Sequence, residues 1–215
     1  YIYVGEGQDL GQFWAKLAVG DGKIQKSSSN TAVTKSNDCY SLSGATYTVY
    51  SDKGCTKSVA TLTTDGNGNT DTVELRAATY YVKETEAPKG FQLDKNVYTL
   101  TVKAGETTTL KVSDTPKVTD TLVELFKIDM ETGKSTAQGN ASLEGAEFVW
   151  KYYDGYYTKD NLPAEATRTW TTKTIAEKDS NNEVHYITRL ADAYKISGDS
   201  FYTQNGTVCL PLGTI

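Results

Sequence analysis

At 215 residues the chain has room for one large domain or for two of about a hundred residues each. Its 38% hydrophobic and 23% charged residues are those of an ordinary globular chain and exclude a disordered one. A balance of 22 basic against 27 acidic side chains, net −5, argues against nucleic-acid binding, and no apolar run reaches the roughly 18 residues of a membrane span. One histidine, His185, and three cysteines are too few for most zinc sites and histidine-based triads, so neither a metal nor a cofactor is expected.

The chain's 15 tyrosines, its many threonines and valines, and 18 glycines spaced as turns predict an all-β fold. Residues 1–20, with Phe13-Trp14-Ala15-Lys16-Leu17, match nothing downstream and read as an upstream linker or the tail of a preceding domain. No secretory signal or initiator methionine stands at Tyr1, and Leu210 to Ile215 ends abruptly, so a fragment of something longer is expected. From there a first strand is predicted over Gly22 to Ser27, then a polar loop, Ser28 to Asp38. Further strands are predicted over Ala45 to Tyr50, Val59 to Thr63, Thr72 to Leu75, Thr79 to Glu84, Val97 to Lys103 and Thr107 to Ser113. Short strands at this spacing build a sandwich of antiparallel character rather than a parallel sheet.

An internal repeat organises the rest. Ser41-Leu42-Ser43-Gly44-Ala45-Thr46-Tyr47 returns as Ser142-Leu143-Glu144-Gly145-Ala146-Glu147-Phe148, and Ile24-Gln25-Lys26 returns as Leu125-Phe126-Lys127, each displaced by 101 residues. Two copies of one domain type are therefore expected, over residues 21–117 and 118–215, with a seam near Thr115 to Thr119. The second copy is longer. If Thr214 corresponds to Thr79 it carries an insertion of 34 residues, and a polar insertion is expected around Lys178 to Glu183.

Period-two alternation puts Ile24 and Lys26 on one face, Tyr80, Val82 and Glu84 on another, and Leu110, Val112 and Asp114 on a third. If the apolar members face the core, a lysine, a glutamate and an aspartate face it too, and unpaired charges there are costly. A salt-bridged triad or a covalent bond resolves that cost. The segment Tyr81-Val82-Lys83-Glu84-Thr85-Glu86-Ala87-Pro88-Lys89-Gly90-Phe91 closely resembles the glutamate-bearing E-box of collagen-adhesin B-type (CnaB, or SpaA-like) domains of Gram-positive surface proteins and pilins. Gly44-Ala45-Thr46-Tyr47, the Ile24-Gln25-Lys26 strand and the closing Val112-Ser113-Asp114-Thr115-Pro116 resemble the same family, in its order. The resemblance covers residues 22–116 fully and 121–215 in part.

That resemblance implies tandem Ig-like or prealbumin-like sandwiches, the second stopping before its own E-box. It also implies a spontaneous isopeptide bond, with Lys26 as nucleophile, Asp114 as acceptor and Glu84 as proton shuttle. Asparagine is the commoner acceptor in the family, and aspartate here means that water departs. Such a bond forms once per molecule, so self-processing and not enzymatic turnover is implied. Lys127 occupies the nucleophile position of the second copy, its partners lying outside the chain. The expected role is a stalk module on the cell-wall-anchored surface of a Gram-positive bacterium, partnered by neighbouring domains or subunits. The alternative is an adhesin region whose inserted second domain binds a glycan or host protein.

Weaker signals remain. Cys39 and Cys55, on either side of one strand, can pair as a disulfide or stay free, and Cys209 is expected to be reduced. Asp65-Gly66-Asn67-Gly68-Asn69-Thr70-Asp71 imitates a calcium loop but has Thr70 and Arg76 where the glycine and bidentate glutamate belong, so it reads as a turn. Trp150, Tyr152, Tyr153, Tyr156 and Tyr157 are expected to pack a second core in part, with sugar binding as the alternative.

Overall fold

The structure, a computed structural model, describes residues 18–197 and 201–215. The expected upstream segment lies almost wholly outside the described residues, except that the first strand already begins at Val19. The first half contains β1 (Val19–Ser28), a one-turn helix α1 (Thr31–Thr34), β2 (Thr46–Tyr50), β3 (Ser58–Thr63), β4 (Val73–Arg76), β5 (Ala78–Glu86), β6 (Val97–Val102) and β7 (Thr107–Asp114). They form two sheets, β4-β1-β7 and β3-β2-β5-β6.

Alternation decides which side chains lie between the sheets. Ile24 of β1, Tyr47 and Val49 of β2, Val82 of β5, Leu100 and Val102 of β6 and Val112 of β7 all face inward and are buried together. Each such side chain contributes roughly 1.5–3 kcal/mol on leaving water. The result is an all-β sandwich. One pairing departs from antiparallel expectation: β1 and β7 are parallel, from Asp21 opposite Thr107 to Ser28 opposite Asp114. In that ladder Lys26 lies opposite Val112, so Asp114 is the next inward side chain beyond it.

The second half contains β8 (Val118–Thr119), β9 (Glu124–Lys127), β10 (Glu147–Tyr152), a 3-10 turn (Lys159–Asn161), β11 (Arg168–Lys173), β12 (Ile175–Lys178), β13 (Val184–Arg189), α2 (Leu190–Ser197), β14 (Tyr202–Gln204) and β15 (Thr207–Pro211). Its sheets are β10-β11, β12-β13-β9 and β14-β15-β8. Trp150, Tyr152, Trp170, Leu190 and Phe201 pack a core of their own, with the Trp170 and Phe201 rings stacked at 4.6 Å. Tyr156 is 65% exposed, so the aromatic group divides between core and surface.

The repeat is written in hydrogen bonds. In the first copy Thr64 Oγ1 accepts from the Ala45 amide at 3.0 Å and donates to the Leu42 carbonyl, while Gly44 N–H donates to Thr64 O. Thr174 does the same with Ala146, Leu143 and Gly145. A second correspondence was hidden in the sequence. Asp65 Oδ1 accepts from the amides of Asn67 and Asn69, and Asp179 Oδ1 accepts in the same way from Asn181 and Glu183. Both turns carry a left-handed residue at the same place, Gly68 at φ 78° and Asn182 at φ 65°. The turn from Asp179 to Glu183 is thus the counterpart of the Asp65 turn, and the extra residues expected around Lys178 to Glu183 lie in the strands that flank it. Extra residues enter the second copy at three places: around the 3-10 turn, in the longer β12–β13 hairpin, and across α2. Thr214 bridges Tyr153, the position that Thr79 would take opposite Asp52 if the β2–β5 ladder ran two steps further. The pairing agrees with the Thr79–Thr214 correspondence.

The two halves meet in a partly buried joint. Val33, Cys39, Tyr40 and Phe91 form a buried cluster against which Val118, Tyr202 and Leu212 pack. Tyr40 donates its hydroxyl to the Lys117 carbonyl at 2.6 Å and accepts the Leu212 amide at 2.8 Å. Asn37 donates its side-chain amide to the Tyr152 hydroxyl and the Leu212 carbonyl.

Of the two alternatives for Cys39 and Cys55, the structure has the free thiols. Cys39, Cys55 and Cys209 are all free thiols. Cys39 precedes β2 and Cys55 follows it, in the turn that leads to β3, so the two belong to opposite ends of one strand. Cys39 fills the joint between the halves instead, and burial pushes its thiol and that of Cys209 up from the ordinary range.

Candidate crosslinking site

Three strands from both sheets deliver the site. β1 supplies Lys26, β5 supplies Glu84 and β7 supplies Asp114, each the last inward residue of its strand before the chain turns away. All three side chains are fully buried, at 0% exposure. Lys26 Nζ lies 2.7 Å from Glu84 Oε1 and in direct contact with Asp114 Oδ2. Its third neighbour is the hydroxyl of Tyr47, 2.9 Å away, to which it donates.

The backbone of Lys26 is held as firmly as its amine. Its N–H donates to the Gly68 carbonyl at 2.7 Å, and the Ile24 N–H donates to Thr70 Oγ1 at 3.0 Å. Gly68 fits only because it has no side chain: a Cβ there would sit 2.3 Å from the Lys26 carbonyl oxygen. The glycine-rich turn that imitates a calcium loop is therefore a clamp on the strand that carries Lys26. Glu84 is fixed from the other side. Its Oε2 accepts the Asp94 amide at 2.7 Å, and Asp94 in turn anchors its own loop through the Asn96 amide and the Tyr98 hydroxyl. Burial and the Asp94 carboxylate push that Tyr98 hydroxyl up to about 12.

Asp114 is the group left unsatisfied. Neither carboxyl oxygen has a hydrogen bond of ordinary geometry among the described residues, and its polar contact is the ion pair with Lys26. Burial raises its pKa to about 6, against the pull of Lys26 and with the negative charge of Glu84 adding to the rise. A buried carboxyl that readily holds a proton, touching a lysine amine, is the arrangement in which an acid is primed for attack at its carbon.

Sequence reasoning found Lys26, Glu84 and Asp114, and the fold brings them together. It missed Tyr47 and the Asp94–Tyr98 pair. Tyr47 was findable, since it shares the inward face of β2 with Val49 and lies opposite Glu84. Asp94 acts through its backbone amide, which carries no sequence signal. Lys127, opposite Tyr186 on β13, is only half-buried and has no ion pair among the described residues. His185 contacts Ser135 Oγ through Nδ1 and Asp179 through Nε2, and the half-buried His185 with Asp179 and the exposed Glu183 makes a group whose ligand atoms lie within 4.8 Å. One Asp179 oxygen is already spent on its turn.

Residues 28–116 match the family described as "SpaA: Prealbumin-like fold domain". No curated protein matches the sequence at a significant level. Among solved structures the chain is similar to the Bacillus anthracis TIE protein, with 24% identity and a TM-score of 0.46 over 80% of this chain and 26% of that one. It is also similar to the minor pilin of Streptococcus agalactiae, with 18% identity and a TM-score of 0.37 over 48% of this chain and 47% of that one. BcpA, the major pilin subunit of Bacillus cereus, is matched at 21% identity and a TM-score of 0.35, over 46% of this chain and 31% of that one. The chain thus spans between 26% and 47% of the length of these structures.

Proposed function

We propose, from the premise that residues 28–116 are a SpaA-type prealbumin-like domain, that the chain is a structural segment of a Gram-positive surface adhesin or pilin whose first sandwich is locked by a Lys26–Asp114 isopeptide bond. The observation that carries the proposal is the fully buried contact of Lys26 with an Asp114 carboxyl that no hydrogen bond satisfies. Left as ions, these groups are a poor source of stability, because desolvation offsets their attraction. Condensed, they leave one neutral amide.

The reaction balances without a co-reactant. Lys26 Nζ attacks Asp114 Cγ, the N–C bond forms, and one C–O bond breaks. The departing oxygen leaves as water with two protons from the ammonium, one of them carried by Glu84. Holding nucleophile and carbonyl in contact replaces a second-order encounter. One event per molecule makes this self-processing, not turnover. The bond joins β1 to β7, the strands by which tension enters and leaves the domain. That suits a stalk exposed at the cell wall and linked to neighbouring domains or subunits, as the pilin descriptions of two similar structures suggest. The alternative of glycan or host-protein binding by the second half draws less support, since Trp150, Tyr152 and Tyr153 are spent on packing.

Intact-mass measurement of the purified chain tests the proposal. One water less than the sequence mass is expected, with the full mass restored by Glu84→Ala. A wild-type chain of full sequence mass overturns it.

A further inference from the structure

We propose that Tyr47 is a positioning residue of this crosslinking reaction, aiming the lone pair of Lys26 at Asp114; the inference rests on the isopeptide reading above. A lysine ammonium has three N–H donors around a tetrahedral nitrogen. Here those directions are occupied by the Tyr47 hydroxyl at 2.9 Å, by Glu84 Oε1 at 2.7 Å and by Asp114 Oδ2. Attack requires the nitrogen to surrender one proton and to direct the freed lone pair at Asp114 Cγ. With two N–H groups retained on Tyr47 and Glu84, the only remaining direction is the one facing Asp114. Without the hydroxyl, the amine turns about its Cε–Nζ bond and presents an N–H to Asp114 as readily as a lone pair.

The surroundings suit Tyr47 to holding and not to carrying a proton. Its side chain is fully buried at 0% exposure, opposite Glu84 in the β2–β5 ladder, and Lys26 Nζ lies 5.4 Å above its ring. Burial, then the charges of Glu84 and Asp114, push its hydroxyl far above the ordinary phenol range. It stays a neutral phenol whose oxygen accepts from the amine. Glu84, with one oxygen on Lys26 and the other on the Asp94 amide, remains the group through which the proton travels.

The test is a time course on the full chain. Wild type and Tyr47→Phe are made by pulse-labelled cell-free synthesis, quenched in denaturant at intervals, and scored for the Lys26–Asp114 peptide by mass. Phenylalanine keeps the ring, so only the hydroxyl is lost. Crosslinking is expected to slow by on the order of tenfold, the worth of one hydrogen bond in this setting. The rate-against-pH curve is expected to run parallel to wild type. A converging curve overturns positioning in favour of proton transfer, and an unchanged rate overturns the inference while leaving the crosslink standing. The same substitution in an Asp114→Ala background, where no bond forms, separates folding from chemistry. An unchanged melting temperature there supports positioning, and a lowered one assigns the slowing to packing and overturns it. A wild-type chain that keeps its full mass overturns both readings.

Discussion

Replacing Glu84 by glutamine keeps the volume of the side chain but removes its capacity to carry a proton. The glutamine NH2 group cannot accept, so one of the bonds from Lys26 and Asp94 is lost as well. Lys26 and Asp114 then remain unjoined, and the loop from residue 26 to residue 114 is free in the unfolded chain. For a loop of about 89 residues, the chain-entropy relation for a crosslink gives about 4–5 kcal/mol. The unreacted variant also retains buried ions that the crosslinked protein has converted to an amide, so the loss is at least the loop contribution. Against a typical domain stability of about 5–15 kcal/mol that is a large fraction. Guanidinium unfolding followed by circular dichroism should show the midpoint fall. Trp150 and Trp170, both in the second core, report separately on the other half by fluorescence. Mass spectrometry on the same samples decides the interpretation. A Glu84→Gln chain that is still one water lighter refutes the shuttle role, and one of full mass with a wild-type midpoint refutes the loop argument.

The acceptor sets the pH dependence. Burial raises Asp114 to about 6. Below that value the pair takes up a further proton, leaving an ammonium beside a protonated carboxyl and no nucleophile, whereas the neutral amine–acid pair holds the same protons as the ion pair present above it. Crosslinking measured in the cell-free time course should be level just above about 6 and slow as pH falls below it. In Asp114→Asn that limb should vanish, and the chain should lose ammonia instead of water. Gly68→Ala should destabilise the first half by about 1–3 kcal/mol, because a left-handed alanine must also displace the Lys26 carbonyl 2.3 Å away. Its crosslink should form slowly or not at all, read by intact mass. A normal rate in that variant refutes the clamp.

Strand positions were legible because alternation and turn chemistry are local. Val82 and Glu84 reveal their common face without any knowledge of the partner strand. The repeat was legible where the chain makes an obligatory left-handed turn, at Gly44 and Gly145 with φ 89° and 81°. It was illegible at the Asp65 and Asp179 turns, since Asn182 adopts there the conformation that Gly68 adopts in the first copy. Backbone geometry persisted while the letters changed. The parallel β1–β7 pairing was invisible for another reason: register between strands some 85 residues apart follows from packing, not from periodicity. Spacing left Cys39 and Cys55 open between a pair and free thiols, since it does not say where the loops on either side of β2 run. Asn37 reads as a member of a polar loop and Tyr40 lies just beyond it, and only the second half of the chain shows what they bind.

The E-box does two separable things, and one substitution can divide them. Its front end carries Glu84 into the site. Its tail, running on to Gly90 and Phe91, lies against the joint: Lys117 N–H donates to the Gly90 carbonyl at 2.8 Å, and Gln92 N–H donates to that of Thr115 at 2.9 Å. These bonds fasten the segment leaving β7 to the first sandwich, and β8 then pairs with β15 of the second half. Tension arriving at Asp114 therefore passes into a linker held on both sides. Gly90 makes the close approach possible, at φ 83° with a Cβ that would meet Cys39 O and Tyr40 Cδ1, each at 2.6 Å. Gly90→Ala should push Tyr40 away from Lys117 and Leu212, leaving their part-buried carbonyl and amide without that hydroxyl at a cost of about 1 kcal/mol. Hydrogen exchange at the Leu212 amide should accelerate while the chain stays one water lighter, the reverse of the Glu84→Gln outcome. If Gly90→Ala instead blocks the crosslink and leaves Leu212 protected, the tail serves the chemistry and the joint is held by other means.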